Sequence, residues 1–511
     1  MVWRRSGAQV CWLGLCLLVL VGCDRGDGTS ETPTYPFIGL QVNVGVVGDP
    51  KVAEVLASPL VGEWEATRKA KVVLSKEPVA AIEAARFDVI LFPGDHLGEL
   101  VDAKALMTWP EKLVLPAVAA DSVAGEREPS SAEKPNDPFQ FADVVQTYRD
   151  QVSKYGADRI ALPLGGTGLV LVYDKGAFDR PQNREAAEKG HVRLSPPTTW
   201  KELDELANFF EGRDWNGDGK PEHGIAVVLG ADEEGLGNSL FLARAASLGQ
   251  HKDQYSFCFD SDSMAPRVAT PPFVEALDGL LALRKCGPPA LESFDGERAR
   301  RAFAEGEVAL LIDLAERSES WTKKKAVGVA ALPGAEHVFD PLRERWEDLA
   351  TPNRPSYLPR GGGWLVGISA SSKGPKRDAA IDFAKYITSP ELANQVRTNS
   401  EFPMLPVRST TLGQGPTSAN AVDARQWADA VGRTLAAQRV IPGLRIPGAD
   451  GYLSDLASGR AAALKGEPPK VALEKVARAW QERTQRLGTA CQAWHYQRSL
   501  NSIVTTPEPP R

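Results

Sequence analysis

Long apolar runs are missing from most of this chain. Beyond residue 23 no segment reaches the roughly 18 uninterrupted apolar residues that a membrane-crossing helix needs. Clustered positive charge is also scarce. The net charge is −7, and Lys323-Lys324-Lys325 is the one tight basic run, read as a solvated helix face. That excludes an extended phosphate-binding surface, so no nucleic-acid partner is expected. Histidine is limited to 6 scattered positions, which argues against a clustered zinc site. Enzyme signatures are missing too: there is no Gly-x-Ser-x-Gly, no His-Glu-x-x-His and no Walker Gly-Lys-Ser/Thr. Gly361-Gly362-Gly363 lacks the spacing of a dinucleotide loop. No cofactor is required by anything in the sequence.

What is present is a folded composition, 43% hydrophobic and 24% charged over 511 residues, too long for one core. Two glycine-rich stretches organise it. In Asp158–Phe178, an apolar strand Ile160–Leu164 meets Gly165-Gly166-Thr167-Gly168 and a second apolar run, Leu169–Tyr173. Arg360–Ser369 repeats the arrangement: three glycines feed Trp364–Ile368. A helix from about Pro375 carries Ala380, Ile381, Ala384 and Ile387, and Ser389-Pro390 opens the next. Glycine pivots between buried strands suit a chain crossing between two lobes more than once. The plainer alternative is two Gly-rich turns.

These residues resemble the extracellular solute-binding proteins of ABC importers, the maltose or sugar-binding type. Ala161–Thr167 with Leu171–Lys175 is similar to the family's first hinge, and Gly361–Ser369 with Tyr386–Glu391 to its later crossover. Asp88–Leu106 and Phe303–Asp313 also match. The resemblance spans roughly residues 37 to 408. It implies an α/β, two-lobed, periplasmic-binding-protein-like fold (type II), each lobe a mixed sheet flanked by helices, with a ligand cleft at the hinge. It further implies a small polar ligand, a sugar or polyol, handed to the membrane subunits of an importer by a monomeric, non-enzymatic receptor. Lobe 1 is expected over 37–164 and 357–410, lobe 2 over 165–356 and 411–511.

Residues 1–23 read as a targeting segment: Arg4 and Arg5, an apolar Val10–Leu20, then Leu20-Val21-Gly22-Cys23, which resembles a lipobox. Lipidation of Cys23 would anchor the chain on the periplasmic or cell-surface side of a bacterial membrane; an ordinary signal peptide cut elsewhere is the alternative. Residues 24–36 read as a tether, and Ala119–Pro138 as an exposed loop. Of the remaining cysteines, Cys258 and Cys286 are the natural disulfide pair, with Cys491 an alternative partner of either, or all are buried thiols.

Strands are expected at Leu40–Val47, Lys71–Leu74, Phe87–Phe92 and Val308–Ile312, and a helix over Phe141–Tyr155. Thr199–Glu202 is a capping box placing Trp200 in the core. Helices over 420–500, with Leu473, Val476, Ala477 and Trp480 on one face, are expected to cover the second lobe. Loops at the carboxyl ends of parallel strands bind ligands. Asp49 and Asp95 sit at such ends, and Asp95 also matches a family position that accepts hydrogen bonds from sugar hydroxyls. Either could instead be a turn residue. Thr167, Gly166 and Trp364 join them as expected contacts, with Trp364 stacking on an apolar ring face. Where relatives commonly carry Gly-Pro-Trp, this chain has Asp313-Leu314-Ala315-Glu316-Arg317; Glu316 is thus a candidate for a polar or charged ligand, or a solvated helix start. Asp214-Trp215-Asn216-Gly217-Asp218-Gly219 matches the first half of an EF-hand loop, with Glu222 at the ninth position and Ile225 where the bidentate Glu would stand. Asp214, Asn216, Asp218 and Glu222 are candidate structural-calcium ligands, or a self-stabilised polar loop. Two other functions use the same scaffold: a secreted carbohydrate hydrolase with Asp49 and Asp95 as acid and base, and a sensor or adhesion lipoprotein without transport.

Overall fold

The computed structural model describes residues 36–57, 60–110, 139–321, 326–397, 399, 402–416 and 422–508. Cys23, the lipobox, most of the tether, the 119–138 loop and Lys323–Lys325 lie outside the described residues.

Two mixed sheets carry the fold. Nine strands are labelled in chain order: β1 Gln41–Val46, β2 Lys71–Leu74, β3 Val89–Pro93, β4 Leu162–Gly166, β5 Leu169–Asp174, β6 His223–Ala226, β7 Val308–Leu314, β8 Val327–Ala331 and β9 Gly363–Ile368. The first sheet has the order β2-β1-β3-β9-β4, and the second β8-β5-β7-β6. In the first, β1 runs parallel to β2 and β3, while β9 enters antiparallel between β3 and β4. Strands β3, β4, β5, β7 and β9 are buried along their whole length. That is why they read as continuous apolar runs rather than alternating ones: both faces are covered by helices.

The crossover at residue 166 is abrupt. β4 ends in one sheet, Thr167 and Gly168 follow, and β5 starts in the other. The chain returns to the first sheet at β9. It meets β4 again at Leu405, which exchanges backbone hydrogen bonds of 2.8 Å with Gly166. It then leaves for the helix Ala424–Leu435, which packs on β8 and β5. Three passages of backbone thus lie side by side between the lobes.

The glycines at these passages differ in their reasons. Gly361, Gly362 and Gly363 have φ of +65°, +100° and +119°, which side chains oppose. Gly165 and Gly166 do not take such angles. A Cβ at Gly166 would stand 1.9 Å from the Tyr148 hydroxyl, and one at Gly165 2.5 Å from Met404. Close packing, not backbone angle, requires glycine there.

Other expectations meet mixed outcomes. The capping box forms, with Thr199 and Glu202 in reciprocal hydrogen bonds, and Trp200 is buried with its indole N–H donating to Ser247 Oγ at 2.8 Å. Leu473, Val476 and Trp480 are buried on the helix Pro469–Leu487. The segment 141–155 is not one helix. It breaks into a 3₁₀ turn at Phe141–Asp143, a π turn at Tyr148–Val152 and a short strand at Lys154–Tyr155. Tertiary bonds account for the break: Val145 N–H donates to Val407 O, and the Arg445 guanidinium donates to Val152 O. Cys258 and Cys286 are both buried thiols, and the expected Cys258–Cys286 disulfide is not formed. Cys258 lies in a loop whose backbone N–H groups donate to the Tyr496 hydroxyl, whereas Cys286 ends a helical stretch beside Asn208.

Candidate functional site

The carboxyl ends of β1, β4 and β7 and the start of β9 converge on a cleft of about 240 Å³. Asp49, Gly166, Thr167, Glu316 and Trp364 all line it. Residues from both sheets therefore meet across one opening, as open α/β sheets arrange their ligand sites.

Asp49 follows β1 in the turn Gly48-Asp49-Pro50, and its Oδ1 accepts from the Lys51 N–H at 3.0 Å. One carboxylate oxygen holds the turn, and the side chain remains partly exposed. Thr167 sits at the sheet crossover, 4% exposed, with a buried hydroxyl that faces the Glu316 carboxyl without a well-formed hydrogen bond. A buried hydroxyl without a partner costs free energy unless a ligand or water satisfies it. Glu316 follows β7, and its Oε2 accepts from the Gly168 N–H at 3.4 Å. Burial pushes its carboxyl up to about 7, against the opposing pull of Thr167, Arg317 and the Gly168 N–H. Trp364 is 5% exposed and meets Phe402 edge to face at 5.5 Å, so it forms a wall of the cleft.

Asp95 is not among the residues on the cleft wall. Gly94 abuts the turn at Gly361, where a Cβ would stand 2.3 Å from the Gly361 carbonyl oxygen. Asp95 is thereby held beside His96 and Asp450, one oxygen buried without a partner. The carboxyl end of β3 does reach the hinge, but the glycine triplet covers it.

Sequence reasoning passed over much of the charged lining: Lys51, Glu233, Glu234 and Arg360. Glu234 pairs with Arg300 at 2.9 Å and with Arg317 at 2.7 Å. Arg300 in turn pairs at 3.0 Å with the fully buried Asp313, which also accepts from the Trp321 indole at 2.7 Å. This network holds Arg317 against the cleft. Arg360 takes φ +47°, unusual for a residue with a Cβ, and its buried Nε has no partner among the described residues. No local pattern signals Glu234, because its ion pairs join distant segments. The site combines carboxylates, guanidinium groups and a hydroxyl with the apolar Trp364, Phe402 and Met404, a composition that orients a polar ligand over an apolar wall.

The Asp214 loop stands apart from this cleft. Its Asp214 carboxylate accepts from Gly217 and Gly219 N–H groups, at 2.6 and 3.0 Å. Asn216 Oδ1 accepts from Asp218 N–H at 2.8 Å. Carboxylate oxygens of Asp214, Asp218 and Glu222 lie within 4.8 Å of one another. Two oxygens on opposite sides of a calcium ion stand about 4.6–5.2 Å apart, so the spacing fits. Glu222 is buried, and its Oε1 has no partner among the described residues.

The sequence profile described as "Bacterial extracellular solute-binding protein" matches residues 76–430. No relative among curated proteins matches this chain by sequence. Several solved structures share the fold. The sugar-binding protein MalE from Xanthomonas citri is 17% identical, with a TM-score of 0.61 over 88% of this chain and 99% of its own. An ABC transporter solute-binding protein from Agrobacterium radiobacter K84, in complex with ribitol, is 16% identical, with a TM-score of 0.59 over 88% and 100%. Maltose-bound MalE3 of T. maritima is 19% identical, with a TM-score of 0.57 over 87% and 100%. The profile covers well over half of the chain, and the two sheets with their crossovers give the matching architecture: the chain belongs to the bacterial extracellular solute-binding protein family.

Proposed function

We propose that this chain is a lipid-anchored receptor that binds a small polar solute, a carbohydrate or polyol, outside the cytoplasm and delivers it to an ABC importer. The observation that carries this reading is the convergence of Asp49, Gly166, Thr167, Glu316 and Trp364, from both lobes, on one cleft at the crossover. Sugars and polyols occupy several proteins of the same fold, which supports the ligand class. Asp49 accepts from ligand hydroxyls, Thr167 supplies a hydroxyl in need of a partner, and Trp364 backs the ring. Closure of the lobes follows from tighter binding to the closed form. The hydrolase reading needs two carboxylates at one bond, and of the pair Asp49 and Asp95 only Asp49 lines the cleft.

Thermal shift across a sugar and polyol library tests this. A ligand at 100 times its Kd adds about 2.7 kcal/mol to apparent stability. At least one such compound should raise Tm, and Thr167→Val and Asp49→Asn should each weaken its binding. No ligand in either class, or full affinity in both variants, overturns the reading. Anchoring through Cys23 is part of the proposal: Cys23→Ser should move the protein from the detergent phase to the aqueous phase on partitioning.

A further inference from the structure

The last described helix, Thr489–Ser499, carries Cys491 in its first turn and His495 one turn later. A spacing of four residues sets both on one helix face. Against that face lies Asp102, the final residue of the helix Leu97–Asp102. One ligand atom from each of Cys491, His495 and Asp102 lies within 4.8 Å of the other two. The three come from opposite ends of the chain.

The surroundings of His495 favour a metal-binding orientation. Its imidazole is 1% exposed, with Nδ1 3.0 Å from the Tyr155 hydroxyl and Nε2 3.3 Å from Asp102 Oδ1. The Tyr155 hydroxyl also approaches two carbonyl oxygens, His495 O at 2.9 Å and Arg445 O at 3.2 Å. Carbonyls cannot donate, so the phenol proton is drawn to them and the phenol oxygen is left to accept from Nδ1–H. In that tautomer the Nε2 lone pair faces the Asp102 carboxylate, and two acceptors at 3.3 Å must share either a proton or a metal ion. A metal-bound histidine is commonly fixed in this way, by a hydrogen bond from its other nitrogen. The side chain of Asp102 is 48% exposed and Cys491 is partly exposed, which leaves an entry path from solvent.

We propose that Cys491, His495 and Asp102 form a binding site for a thiophilic divalent cation, zinc by its ligand chemistry, that clips the last helix to the first lobe. Thiolate, imidazole and carboxylate are zinc donors, and an open fourth position takes water. The same helix reaches the second lobe, where the Tyr496 hydroxyl accepts from the N–H groups of Phe257 and Phe259 at 3.0 and 3.3 Å. An ion here would therefore fasten an element that touches both lobes.

The full chain, stripped of metal with a chelator and dialysed, is titrated with Zn²⁺ by calorimetry and with Co²⁺ by absorbance. We expect one ion per chain and a near-ultraviolet thiolate-to-cobalt charge-transfer band. Cys258 and Cys286 are buried, and loss of the band in Cys491→Ser assigns it to Cys491 rather than to Cys11, Cys16 or Cys23. Cys491→Ser should abolish the band, and Asp102→Asn should weaken zinc binding at least about tenfold. Both positions are accessible, and unchanged circular dichroism would show that the variants fold. Two results would overturn the site: no charge-transfer band, or zinc affinity unchanged in Cys491→Ser and lost in Glu347→Gln. The latter would place the ion at the separate group of His251, Asp340 and Glu347. If His495 and Asp102 share only a proton, the titrations show no binding, and the proposal fails.

Discussion

Glu316 has the most informative single side chain of the cleft. Burial raises its carboxyl from the ordinary 4.5 to about 7. The folded chain therefore holds a proton that the unfolded chain releases between those values. Stability from this group is greatest at low pH, falls as pH rises from about 4.5 to about 7, and is level outside that window. Urea midpoints of the parent at pH 5 and pH 7.5, minus those of Glu316→Gln, should show the loss on the alkaline side. Equal differences at both pH values would mean that the carboxyl titrates normally. Glu316 was visible in the sequence because it stands where relatives carry another motif. Its burial was not, since that depends on Gly168 and Tyr148 arriving from the crossover and the broken 141–155 segment.

At the scale of elements, the loop over residues 214–222 shows what a motif can and cannot carry. Alternating oxygen residues and a glycine with φ +89° at Gly219 were readable from spacing alone. Whether Glu222 closes the site depended on the strand that follows, which turns its carboxylate back under Trp215 and Asn216, whose N–H groups donate to Oε2 at 3.1 and 3.5 Å. Burial raises the Glu222 carboxyl, and the neighbouring Asp218 and Asp214 charges add to this. A divalent cation would reverse that balance. Millimolar Ca²⁺ should raise Tm of the parent and leave Asp214→Asn unmoved; an equal rise in both would remove the loop from consideration. Helix 141–155 failed for a different reason. Its side-chain periodicity is helical, but the Val145 N–H and the Val152 carbonyl bond to residues 407 and 445, which breaks the run into short turns.

For the whole molecule, the proposed closure of the two lobes would turn about three adjacent backbone passages. Gly166 sits where two of them pair, β4 with β9 and Gly166 with Leu405. A side chain there must displace Tyr148 from a hydroxyl position 1.9 Å from the new Cβ. Overpacking of this kind typically costs about 1–3 kcal/mol. Gly166→Val should thus lower Tm and weaken ligand binding without offering the ligand any new contact. Small-angle scattering separates the causes. A defect in the passage changes the open-to-closed difference at saturating ligand, whereas simple crowding of the cleft lowers affinity and leaves that difference intact. A variant that binds and closes like the parent would show that this glycine serves only its local turn.

The lobed α/β architecture was determined by the sequence itself. Strands buried on both faces are nearly all apolar, and β3, β4, β5, β7 and β9 are, apart from Asp174 and Asp313. Their order with the glycine stretches was enough to place the crossovers, and with them Thr167 and Trp364. Only the tertiary structure decided which polar residues share a space. Asp49 and Asp95 end neighbouring parallel strands and looked equivalent, yet the turn at Gly361 covers one and leaves the other on the cleft. Arg317 and Glu234 meet through an ion pair between distant segments, and His495 and Asp102 approach each other from opposite ends of the chain. Periodicity records whether a side chain faces the core. Proximity between polar groups far apart in the chain leaves no such record, because packing of whole elements sets it.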